Sequence, residues 1–103
     1  MKMIQLFMER IDDELQDAHD YATLALENKD TEPEAADLFA RLSEEEMQHA
    51  KLLHEMVATY IERLRRNGGV VPESMAAVYE YLHKKQIKRA KAIRECQSMY
   101  RGG

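Results

Sequence analysis

Glu46 and His49 stand three residues apart, a spacing that on a helix sets a carboxylate and an imidazole on one face, and Glu14 takes the matching place one helix earlier. All three fall where the helical pattern calls for apolar residues. Burying an unpaired carboxylate costs on the order of several kcal/mol, and two acids facing each other add repulsion. A divalent or trivalent cation offsets both directly. Hard carboxylate oxygens with an imidazole nitrogen suit iron or manganese, and zinc is also accepted by imidazole. The three residues read as half of a two-metal carboxylate site. No positioned general base for an organic substrate accompanies them.

The elements that must hold these side chains are helices. A chain of 103 residues, rich in Ala, Leu, Met, Glu, Lys and Arg and without strand-like alternation, predicts one small all-α domain with a single core. The first helix is expected from about Met3 to Asn28, ended by Asn28-Lys29-Asp30-Thr31, with Thr31 as a cap and Pro33 in the opening turn of the next. The second runs from Pro33 to about Arg66, with acids first, arginines last and Asn67-Gly68-Gly69 as a left-handed stop. The third runs from near Pro72 to about Tyr100. Neither an internal repeat nor a linker divides the chain.

Steps of three and four give the inward stripes. In the first helix they are Ile4, Phe7, Ile11, Glu14, Ala18, Tyr21 and Ala25; in the second, Leu42, Glu46, His49, Leu53, Met56 and Tyr60, preceded by Phe39. If the two helices form an antiparallel hairpin, Glu14 lies fourteen residues before Asn28 and Glu46 thirteen after Pro33. Both are then ~20 Å from the turn at ~1.5 Å per residue. The polar interruptions of the two stripes meet at one level.

Glu14, Tyr21 seven residues on, and Glu46-x-x-His49 on the next helix together resemble the first half of the ferritin, bacterioferritin and rubrerythrin superfamily, over roughly residues 1–65. The resemblance implies Glu14 as a terminal iron ligand, Glu46 as a bridging ligand, His49 as a terminal nitrogen ligand and Tyr21 as a neighbour of the site. It also implies a ferritin-like fold and oxidation of Fe(II) to Fe(III) by dioxygen or peroxide. Full-length members carry four helices and two copies of the motif. This chain has one copy in register and lacks the cysteine pairs of a rubredoxin module. A two-fold homodimer, or a higher homo-oligomer, supplies the missing half without a new residue type. That arrangement is similar to short encapsulated ferritins, with two irons per dimer, and the length and motif also resemble ferritin-like proteins of prophages. The segment Glu46-Met47-x-His49-Ala50 further resembles the bacterioferritin stretch whose methionine binds haem between subunits.

Other residues leave alternatives open. Glu80-x-x-His83 repeats the spacing, but a third helix folded back about residue 69 sets Glu46 opposite roughly residue 92, so Glu80 is ~18 Å from that level and His54 is nearer. Glu80 and His83 are then surface or helix-pairing residues, a second metal site with His54, or members of an unusual fold. The lesser alternative for Glu14 is a solvated acid, while Tyr21 and Tyr60 read first as core aromatics. Glu44 and His19 are expected in solvent, Glu45 beside the site, and the lone Cys96 packed rather than reactive.

Lys+Arg 15 against Asp+Glu 19 gives a net charge of -4, which argues against nucleic-acid binding. Acids and Arg10 break the apolar run at the start, so neither a signal peptide nor a membrane span is expected. The expected location is cytoplasmic, free or enclosed in a protein shell or phage particle. The competing class is a structural or interaction bundle whose third helix, with Lys84, Lys85, Lys88, Arg89, Lys91 and Arg94, docks an acidic partner or shell. A metal that only holds a dimer together is a third reading.

Overall fold

A computed structural model describes residues 2–68 and 73–102, with Ser74 by its backbone alone. Three helices account for nearly all of it: α1 (Lys2–Asn28), α2 (Pro33–Arg66) and α3 (Glu73–Tyr100). Among the described residues there is no strand, and the chain forms an elongated all-α body of 56 × 19 × 18 Å. No helix among those residues is long and apolar enough to cross a membrane.

The helix ends follow the punctuation, with one correction. Pro33 opens α2 as expected, but the cap position is Glu32, not Thr31, and no side chain caps it. The chain instead turns through backbone bonds, Glu32 N–H to Asn28 O and Ala36 N–H to Glu32 O, both 2.9 Å. A side-chain cap is thus displaced by a continuous ladder. At the other end Gly68 takes φ +71, the left-handed conformation open to glycine, and donates to Arg65 O. Gly69 and Pro72 lie outside the described residues.

α1 and α2 form the antiparallel hairpin, and α3 runs parallel to α1 and packs chiefly on it, touching α2 only lightly. The core is Ile4, Met8, Ile11, Leu15, Ala18, Ala50, Val57 and Ile93. This rotates α2 from its expected orientation: its buried line is Ala36, Ser43, Ala50, Val57, while Met56 and His49 of the anticipated stripe are exposed. The reason is α3, which draws the core toward the side of the hairpin away from Glu46. Two polar anchors fix α3 there. Gln86 donates to Met8 O and to Asp12, at 3.2 and 3.0 Å. Gln97 donates to Ser43 Oγ at 2.8 Å, and that hydroxyl donates to Ala18 O at 2.7 Å, tying all three helices at one buried point.

Candidate metal centre

The rotation of α2 leaves a half-buried seam on the open face of the hairpin. It begins with Phe7 against Tyr60, ring centroids 5.9 Å apart, and ends with Tyr21 against Phe39 at 6.3 Å. Between these aromatic pairs lie Glu14, Glu46 and His49. On α1, Phe7, Glu14 and Tyr21 recur every seven residues, close to two helical turns, which is why they share the seam.

The expected meeting of the three ligand candidates is present. Each offers one donor atom, and the three donors lie within 4.8 Å of one another. His49 Nδ1 stands 3.4 Å from Glu14 Oε2 and 3.7 Å from Glu46 Oε1. Donors ~2.1 Å from one octahedral ion are ~3.0 Å apart when adjacent and ~4.2 Å when opposite. Closure by roughly 1–2 Å, within the reach of side-chain rotation, would bring the three donors onto one ion. The two carboxylates are well sheltered, their side chains 16% and 19% exposed, whereas His49 is 55% exposed. The imidazole thus forms the rim of a cluster whose acids form its floor.

Glu14 carries the clearest physical signal. Its Oε2 is buried and has no hydrogen-bond partner; His49 Nδ1 is within ion-pair range but not aligned as a donor. Oε1 has only Arg10, at 4.0 Å on the exposed edge. A buried carboxylate oxygen without a donor costs about 1–3 kcal/mol or more. A bound cation removes that cost, so the residues fit a metal.

The other candidates separate from the cluster. Tyr21 sits ~10.5 Å along α1 from Glu14, seven residues at ~1.5 Å each, and stacks on Phe39. Glu44 is exposed and pairs with Arg101 at 3.2 Å; Glu45 and His19 are also exposed, the latter 3.4 Å from Asp20. Met47 is half-buried and packs against the core. Cys96 is half-buried, and desolvation raises its thiol pKa, in keeping with a packed residue. The third helix does not reach the cluster: His83 meets His54 instead, as the register of a folded-back helix requires. Part of the anticipated basic docking stripe is also engaged internally, since Arg89 lies 3.9 Å from Asp12 and donates to Gln16.

The sequence profile described as Rubrerythrin matches residues 7–102. The chain belongs to the rubrerythrin family and with it to the ferritin-like superfamily. Membership implies a domain of the diiron metal-binding type and iron binding in general, and the described residues include one Glu-Glu-His group, Glu14, Glu46 and His49, whose donors could hold a metal ion. No curated protein and no solved structure matches the chain.

Proposed function

We propose that two copies of this chain build one dinuclear iron centre from Glu14, Glu46 and His49 of each, and that Fe(II) is oxidised there to Fe(III). The observation that carries this reading is the buried, partnerless Oε2 of Glu14, placed within reach of Glu46 and His49. One chain provides two carboxylates and one imidazole. Two chains provide four carboxylates and two imidazoles, whose charge balances two divalent ions.

Fe(II) is the substrate. Glu14 and His49 act as terminal ligands and Glu46 as the bridge, in line with the family pattern. Four carboxylates around two cations favour the trivalent over the divalent state, because each added positive charge is held by fixed negative groups in a half-buried place. Two Fe(II) each give up one electron. Dioxygen takes both, with two protons from water, and leaves as hydrogen peroxide; with peroxide as oxidant, the same two electrons and two protons yield two waters.

The second copy is argued from the face around the ligands. Leu6 and Leu24 on α1 and Leu38, Leu52 and Met56 on α2 are exposed. On α2 the steps Leu38, Leu42, His49, Leu52 and Met56 follow helical spacing, so the apolar side chains flank His49 on one surface. An apolar border around an incomplete polar site is what a two-fold partner would cover, because it presents the same leucines and the same ligands in return.

The test is anaerobic Fe(II) titration of metal-free protein, then exposure to air, with mass by light scattering throughout. Saturation at two irons per dimer and oxidation faster than the uncatalysed rate are expected. Glu46→Ala should abolish paired binding and oxidation while helicity persists. Leu52→Lys, at a side chain 62% exposed in the single chain, should give monomers that no longer oxidise Fe(II). Normal oxidation by Glu46→Ala, or by a monomer, would sink the assignment. If metal removal dissociates the dimer and no turnover is seen, the centre is a structural clasp.

A further inference from the structure

A second group of ligand-type residues lies on the other flank of α2, away from the acid cluster. His54 of α2 and His83 of α3 share a hydrogen bond between Nε2 and Nδ1 at 3.1 Å, their ring centroids 4.6 Å apart and their planes 18° apart, and an ion between the two nitrogens would replace that proton. They close one end of an open groove between α2 and α3 of about 690 Å³, whose lining includes Met8, Val57, Ile61, Tyr79 and Glu80. Both imidazoles are half-buried.

We propose that His54, Glu80 and His83 bind one borderline divalent ion of the Zn²⁺ class, independent of the iron centre, which clasps α3 to α2. Three observations support it. First, two nitrogens each ~2.1 Å from a shared ion are ~3.0 Å apart in octahedral and ~3.4 Å apart in tetrahedral geometry, and the observed separation of 3.1 Å falls within that bite. Second, Glu80 precedes His83 by three residues and so shares its helix face, the spacing already met in Glu46 and His49. One ligand from a neighbouring helix plus a Glu-x-x-His pair repeats the construction of the acid cluster with an imidazole in place of Glu14. Third, the exchange of a carboxylate for an imidazole shifts the preference from iron or manganese toward zinc.

The structure sets only a low barrier to closing this site. Glu80 pairs with Lys84 at 3.2 Å, with both side chains largely exposed, so solvent screening leaves the pair weak. A rotamer change can therefore swing the carboxylate from Lys84 toward the imidazoles. Water would complete the coordination on the open side of the groove. Such an ion would join the two helices that touch least.

The experiment is Zn²⁺ titration by calorimetry of the full chain carrying Glu46→Ala, a background in which the acid cluster is disabled. Its outcome does not depend on whether that cluster oxidises iron. One Zn²⁺ per chain is expected. Adding His83→Phe, which keeps an aromatic ring against His54, should remove this binding, and Glu80→Gln should weaken it by about tenfold or more, since even an outer-shell partner commonly contributes that much. Co²⁺ in place of Zn²⁺ should give visible ligand-field bands that vanish with His83→Phe while far-ultraviolet circular dichroism is unchanged. Absence of Zn²⁺ binding in the Glu46→Ala protein, or equal binding after His83→Phe, would overturn the proposal.

Discussion

Replacing Glu14 by glutamine should make the metal-free protein more stable and the metal-loaded protein relatively less so. Glu14 Oε2 is buried without a hydrogen-bond partner, beside a second carboxylate on Glu46. An orphaned buried polar atom costs about 1–3 kcal/mol. His49, more than half exposed and 3.4 Å away, and Arg10, exposed and 4.0 Å away, return only part of that. Glutamine keeps the shape, removes a charge and adds an amide donor that can face Glu46. A gain of about 1 kcal/mol follows, which for a domain near 100 residues raises Tm by roughly 4–8 °C. Thermal melts followed by circular dichroism in chelator, at one protein concentration because dimer stability depends on it, measure this directly. Anaerobic Fe(II) at a hundredfold excess over Kd should then stabilise the parent by about 2.7 kcal/mol and the variant much less, reversing their order. A variant that melts lower than the parent in chelator, or that gains as much from metal, would refute the reasoning.

Two further outcomes test the scaffold. Ser43→Ala removes a hydroxyl that donates to Ala18 O and accepts from Gln97, leaving the Gln97 amide buried without that acceptor; a loss of about 1–3 kcal/mol in denaturant unfolding is expected, with α3 loosened most in hydrogen exchange. Tyr100 donates to Asp37, and that bond first, then desolvation and the carboxylate charge, raise the phenol pKa above its ordinary value near ~10. A raised folded-state pKa contributes stability that is present below ~10 and lost as pH rises through the folded value. Phenolate absorbance should therefore show Tyr100 among the last tyrosines to ionise, and Asp37→Ala should return it to the ordinary range.

The helices were legible because their boundaries are written in residues with few alternatives. Pro33 can open a helix but not continue one, and Gly68 can take φ +71 without a Cβ clash. The acid cluster was legible for a related reason: Glu14 interrupts an apolar stripe, and equal distance from the turn brings it level with Glu46. The facing of α2 was not legible, because a hairpin alone does not fix it. The third helix decides which side of α2 is inside, and its choice depends on Gln86 and Gln97, polar residues that composition assigns to solvent. Ser43 did leave a trace. It falls in the seven-residue series Ala36, Ser43, Ala50, Val57, where a small side chain admits close helix approach. The contact of His54 with His83 needed the register of α3, which places those residues opposite each other when the chain folds back near residue 69.

The position of α3 also bears on where the rest of the iron centre comes from. For one chain to complete it, α3 would have to present carboxylates or an imidazole to the open face at the level of Glu46. The residues near that level are Ala90, Ile93 and Gln97, of which Ile93 is buried in the core and Gln97 is committed to Ser43. His83 lies farther along α3 and is already against His54, on the opposite flank of α2. Glu95 is exposed, and α3 packs on the side of α1 that faces away from the seam of Phe7, Glu14 and Tyr21. Moving α3 to the open face would break the Gln86 and Gln97 anchors and uncover Ile11, Leu15 and Ala50. The same packing that stabilises the three helices therefore withholds α3 from the acids. The proposed dinuclear centre then takes its remaining ligands from outside these three helices, and under our proposal a second copy offers the complementary apolar border together with the donors that two metals need. Mixing Glu14→Gln protein with an excess of parent chains should accordingly restore only the oxidation of parent–parent pairs, in proportion to the square of the parent fraction. A linear dependence would mean that each chain completes its site alone.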